Sequence, residues 1–183
     1  MLTSTAVDPD VFGLGGDGGI PSKGNIVLTY PLAASSSVSE GDWIKFSDTT
    51  NGYIQKCTDT EDNAIGVAFS SEDNTYGTDG STAGVAGAKY AAVLRKGFAY
   101  VDGISKSSGT VAGSGIDMDS LLYLVVTSAG YPYGAQGVTA TDGGVQVAIA
   151  MDSIAEPTDT GITIARLRVY LDRLNKAMNA LET

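Results

Sequence analysis

Apolar residues in this chain fall in short runs with a period near two, broken by clusters of Gly, Asn, Asp, Ser and Thr. That is the signature of half-buried strands joined by turns. The first run is Ile26-Val27-Leu28-Thr29-Tyr30, ended by Pro31. In residues 43–47, Ile44 and Phe46 share one face while Trp43 and Lys45 share the other. Thr50-Asn51-Gly52 predicts a hairpin, because Asn-Gly tolerates the positive φ of a type I′ turn. Residues 53–57 return. The small and β-branched run at 64–69 predicts a strand buried on both faces, and 70–88, with four glycines and few large apolar groups, a surface loop. Residues 90–101 predict a central strand pair, with Gly97 marking a bulge or bend. Residues 102–115 read as a polar loop. Further on, Val145, Val147, Ile149 and Met151 alternate with Gln146, Ala148, Ala150 and Asp152, predicting a half-buried strand whose inner face is the first set.

The end of the chain carries two patterns at once. Residues 162–170 alternate like a strand, whereas Leu167, Leu171, Leu174, Met178 and Leu181 step by 4, 3, 4, 3, a helical seam;. We resolve this as a last strand over 161–169 followed by a short C-terminal helix over 170–183. That helix is too short to hold by itself, so its stripe of Leu171, Leu174, Met178 and Leu181 must pack on something. Self-association with the same helix of other copies is one such use.

The strand pattern is also used twice. Moving 78 places along the chain lays Ser120-Leu121-Leu122-Tyr123-Leu124 on Asp42-Trp43-Ile44-Lys45-Phe46, and Gly130-Tyr131 on Gly52-Tyr53. Then Val147-Ala148-Ile149-Ala150-Met151 matches Ile65-Gly66-Val67-Ala68-Phe69 at 82 places, as if four residues were inserted in the second loop. Each unit reads strand, tight turn, strand, variable loop, strand. The expected fold is mainly β: a small barrel-like or tulip-like domain over 39–169, built from similar units at 41–69 and 119–152. An extended arm and linker over 1–38 precedes it. The run Gly13-Leu14-Gly15-Gly16-Asp17-Gly18-Gly19 cannot hold a helix, and Leu2, Val7, Phe12, Leu14 and Ile20 are scattered along the arm as single apolar anchors. Such an arm is either a free tail or a segment that orders on a neighbouring subunit.

Composition narrows the chemistry. The 183 residues include no His and a single Cys, which excludes Ser-His-Asp and Cys-His catalysis, His-ligated metals and an intramolecular disulfide;. Cys57 reads as a small strand side chain. The net charge of −10 argues against holding nucleic acid, which needs Lys and Arg to displace phosphate counterions;. The first residues lack a basic region and a long apolar region, so no signal peptide is expected, and no apolar run reaches the ~20 residues that span a bilayer. The Gly run is not a phosphate loop: no strand precedes it and Pro21 follows. Asp117-Met118-Asp119 and the pair Asp59 and Asp62 lack the spacing of a Ca²⁺ loop. No cofactor, metal or catalytic residue is expected, and the chain reads as a non-enzyme.

The order Glu40-Gly41-Asp42-Trp43-Ile44-Lys45-Phe46, then Ala64-Ile65-Gly66-Val67-Ala68, then Ala91-Ala92-Val93-Leu94-Arg95-Lys96-Gly97-Phe98, and a closing strand at 161–170, resembles the capsid decoration, or cement, proteins of tailed phages and related viruses, of the lambda-like head-decoration type. The resemblance covers about 35–170. It departs where a second "G-D" would stand, since Asp119-Ser120 occupies that place. The resemblance implies a β-barrel domain that forms homotrimers on the outer capsid surface of a virion, bound to the major capsid protein at junctions of shell subunits. It also implies an N-terminal arm that orders on the shell, which here would be Leu2, Val7, Phe12, Leu14 and Ile20. A reading of another class stays open: a carbohydrate- or protein-binding surface β module, such as a viral turret or spike or a secreted adhesion domain.

Overall fold

A computed structural model describes residues 24–106, 115–126, 136–140, 145–155 and 162–174. Eleven strands are present among them: β1 (Ile26–Pro31), β2 (Ser37–Val38), β3 (Trp43–Asp48), β4 (Tyr53–Lys56), β5 (Gly66–Ala68), β6 (Glu72–Asp73), β7 (Tyr90–Lys106), β8 (Leu121–Val126), β9 (Gln136–Thr139), β10 (Gln146–Ala150) and β11 (Ile162–Asp172). The protein is mainly β with a closed five-stranded barrel, in which β7, β11, β10, β8 and β9 follow one another around a ring. Its closure is the parallel pairing of Gly103 with Val138.

The same ring occurs a second time. β7 pairs with β5, β5 with β3, β3 with β4, and Leu32, just past β1, bridges Ile54 of β4 in parallel while β1 pairs back on β7. We call this ring barrel one and the other barrel two. Their registers coincide. Trp43 faces Val67 and Phe46 faces Ile54 in barrel one; Leu121 faces Ile149 and Leu124 faces Val138 in barrel two. Val67 faces Leu94 as Ile149 faces Tyr170, and Tyr30 faces Ala91 as Val101 faces Leu167. Even the minor pairing of Val38 with Glu72 has its counterpart in Ile116 with Ile154. The 17-residue β7 therefore serves both rings. Its first half closes barrel one and its second half opens barrel two. Gly97 lies between the halves at φ 123, where a Cβ would sit 1.9 Å from Asn25 Oδ1, so only glycine fits;.

The repeat seen in the sequence is thus real, but its insertion lies elsewhere. Phe46 to Ile54 is 8 residues and Leu124 to Val138 is 14, so the hairpin turn of barrel two is six longer. Ile54 to Val67 is 13 and Val138 to Ile149 is 11, so the next loop is two shorter. The net is the four residues inferred. The departure at Asp119-Ser120 vanishes in the backbone: Gly41 has φ 91 and Asp119 has φ 65. The Gly41 amide donates to Ala68 O at 2.9 Å and the Asp119 amide to Ala150 O at 2.9 Å.

Two buried clusters follow the rings. Barrel one holds Tyr30, Leu32, Ile44, Ile54, Ala91 and Val93. Barrel two holds their counterparts Val101, Leu122, Val138, Leu167 and Val169, joined by Trp43, Val67 and Leu94, which point out of barrel one into the seam. This is why 64–68 are buried throughout.

Several expectations need correction. No helix is present among the described residues. β11 continues to Asp172, so Tyr170 and Leu171 are strand, and the register of β11 on β7 runs unbroken to Lys96. The long antiparallel ladder outcompetes the helical spacing there. The remainder of the expected helix, with Met178 and Leu181, lies outside the described residues. β1 is a wall of barrel one, and Val38 of β2, which pairs with β6, is buried in that barrel's cluster, so the domain starts before residue 39. β7 runs on through 102–106, where Ile104 is buried. The turn at Gly52 is not type I′: Gly52 has φ 69 while Asn51 keeps negative φ, and a bulge separates Phe46 from Asp48. In β10 a bulge between Gln146 and Ala148 shifts the alternation, so Ala148 and Ala150 are buried while Ile149 is half-buried.

Candidate interaction surface

β11 lays Arg166, Arg168, Tyr170 and Asp172 on its outward side, because the alternate residues Leu167, Val169 and Leu171 fill the core;. Beside it β7 presents Phe98 and Tyr100. The Tyr170 and Phe98 rings pack at 5.3 Å, and the Arg166 guanidinium stands 5.0 Å from the centre of the Tyr100 ring. Ile149 lies across from Tyr170, and Leu121 across from Ile149, so Leu121, Ile149 and Tyr170 make a row over three strands. Leu121 is 47% exposed. Two ion pairs flank the row: Arg168 with Asp152 at 3.3 Å and Lys96 with Asp172 at 2.7 Å. The Lys96 hydrogen bond holds the Asp172 carboxyl below its usual range, and the same bond raises the Lys96 ammonium.

Where this face meets barrel one, a cleft of about 230 Å³ is lined by Glu40, Gly41, Asp42, Tyr100, Asp102, Gln136 and Arg166 among others. It is smaller than sites that enclose a drug-sized ligand. Asp42 is held by Lys56 at 2.6 Å. Gln136 is buried and acts as a strand substitute. Its Oε1 accepts from the Trp43 amide at 2.6 Å, while its Nε2 donates to Trp43 O at 3.0 Å and Cys57 O at 2.9 Å.

Among the described residues, two buried guanidiniums, Arg95 and Arg173, have no carboxylate bonded to them. Arg173, 3% exposed, donates from Nε to Ala64 O and from Nη1 to Gln146 O, both at 2.8 Å. Burial, then the positive charge of Arg95, push it down to about 10, still cationic at neutral pH. Arg95 donates to the Tyr30 hydroxyl and, at 3.0 Å, to Arg173 O. Through these bonds, and one from Arg173 Nη2 to Asn63 Oδ1 at 3.4 Å, the two guanidiniums act as staples between the barrels. Burial pushes the nearby Cys57 thiol up to about 12, with the Asp62 charge adding to it, so this Cys is an inert core group;.

Of the self-association residues expected from sequence, Leu171 is 1% exposed and belongs to the core, so it cannot meet another copy. Leu174 is half-buried at the end of the described chain, and Met178 and Leu181 lie outside it. The arm residues Leu2, Val7, Phe12, Leu14 and Ile20 also lie outside the described residues. Asp62 is structural: burial raises it, but hydrogen bonds from Lys45 and from the Thr58 and Asp59 amides prevail and lower it. Among the described residues, no group of three His, Cys, Asp or Glu side chains could hold a metal ion. The row Leu121, Ile149 and Tyr170 was not found from sequence. Its signal was present in the repeat, which lays Leu121 on Trp43. Comparison with family models, curated proteins and solved structures found no match.

Proposed function

We propose that this protein is a virion structural protein that decorates and stabilises the outside of an icosahedral capsid. It acts by adhesion, not by catalysis. Copies assemble with each other as homotrimers and bind the major capsid protein where shell subunits meet, with the N-terminal arm ordering on the shell. The observation that carries this reading is the outward face of barrel two, where Leu121, Phe98, Tyr100 and Tyr170 form an open apolar and aromatic surface. Exposed surfaces of this kind mark contacts with other macromolecules. The shared left-handed turn of Gly41 and Asp119 supports the resemblance at the position where the sequence departed from it. Many identical weak contacts on a symmetric lattice add to a strong hold.

The test is microscopy of shells with and without the protein, followed by heating. Added protein is expected as density over subunit junctions and to delay rupture. Deletion of residues 1–20 is expected to leave the fold intact and abolish attachment; equal attachment of the shortened chain would refute the arm's role.

A second reading, a carbohydrate-binding surface module, draws on the seam cleft, where Tyr100 lies among Glu40, Asp102 and Arg166. Glycan-array binding that is lost in Tyr100→Ala would favour it over the first.

A further inference from the structure

We infer that the outward face of barrel two, centred on the row Leu121, Ile149 and Tyr170, is where a second copy of this chain docks. The duplicated register carries the inference. In barrel one the equivalent row is Trp43, Val67 and Leu94, and it is apolar because a barrel covers it: all three lie in one buried cluster with the core of barrel two. In barrel two the row is equally apolar, yet Leu121 is half exposed and Ile149 and Tyr170 are only half-buried. Water-facing strand positions are ordinarily polar, as Lys45 and Gln55 are on barrel one.

Charge selects the occupant. At −10, two copies repel as whole bodies;. On this face the signs balance, since Arg168 pairs with Asp152 and Lys96 with Asp172. A rim of both signs can meet its own kind without setting like charges together, whereas a strongly basic partner finds no excess of acid. The precedent within the chain agrees, because a barrel of this same fold already covers the row once. The aromatic pair Phe98 and Tyr170 adds rigid contact area at small entropy cost;.

This inference rests on the reading that copies assemble with each other. Its test uses no shell, so it can fail while shell attachment stands. Cys57 is the only cysteine and is 1% exposed, so an introduced thiol is the one reactive group. Leu121→Cys in the full chain is labelled with a maleimide at low and high protein concentration. Val85→Cys, on an exposed loop of barrel one, serves as control. Labelling of the Leu121→Cys thiol is expected to slow at least about tenfold when the concentration passes well above the dissociation constant, with the control unchanged. Fast labelling at every concentration would show a bare face and overturn the inference. Slow labelling at every concentration would also overturn it, since the cover would then come from the same chain, residues 175–183 being one source. Sedimentation equilibrium gives a second reading: Leu121→Asp, at a position already half in water, is expected to abolish self-association, and association unchanged in that variant would likewise refute the proposal.

Discussion

A single side chain can hold a seam if its loss leaves several buried groups unpaired. Arg173 satisfies the carbonyls of Ala64 and Gln146, one on each barrel. Arg173→Ala removes two charge-assisted bonds and strands the buried Ala64 oxygen, so urea unfolding should show a loss of about 3 kcal/mol;. Arg168→Ala, whose ion pair is partly exposed, should cost under about 1 kcal/mol;. Cys57 gives a pH signature with a definite sign. Its folded value of about 12 lies above the ordinary 9.0, so its contribution is complete below pH 9 and is lost as pH rises towards 12. Above pH 9, stability should fall by roughly 1.4 kcal/mol per pH unit from this group. Chemical denaturation at pH 8 and 10.5 should show that slope in the natural chain, and a slope smaller by this amount in Cys57→Ala.

At the scale of the element, turn geometry decides what composition leaves open. Asp119 holds a left-handed conformation that Gly41 takes at the equivalent turn. Asp119→Gly should therefore be tolerated and raise stability by up to about 1 kcal/mol, whereas Asp119→Val should lower the melting temperature. The strands, the repeat and the buried run at 64–68 were legible because period-two patterning survives wherever one face is wet or both are dry. What could not be read was non-local. The run Leu167 to Leu181 contains two periods, and only the ladder between β11 and β7 shows that strand wins through Asp172. The bulge in β10 is invisible in its clean alternation, yet it moves Ile149 from the expected core to the outer row. Gln136 carries no sequence mark of a seam residue, because its role depends on Trp43, 93 positions away.

For the whole molecule, the seam makes two barrels one cooperative body. Trp43, Val67 and Leu94 are buried only while both barrels stand. Calorimetry should show one transition, and Gln136→Ala should lower its midpoint without splitting it, at a cost of about 2 kcal/mol for the unpaired Trp43 and Cys57 backbone groups;. Two resolved transitions would mean that the barrels melt separately. Apolar surface inside the seam and apolar surface on the far side of barrel two occupy equivalent registers, which is why buried and exposed Leu, Val and Trp could not be told apart by composition.

Strand β7 belongs to both halves. A gene fragment stopping at its middle would encode every wall of barrel one, yet would leave Trp43, Val67 and Leu94 facing water where barrel two had covered them. Foreign peptides or affinity tags spliced there would interrupt the ladder that β11 makes along β7 across Gly97. The place to graft them is the tip of the loop at Asp79–Thr82, where one carboxylate gathers the Ser81 and Thr82 amides into a self-contained knot.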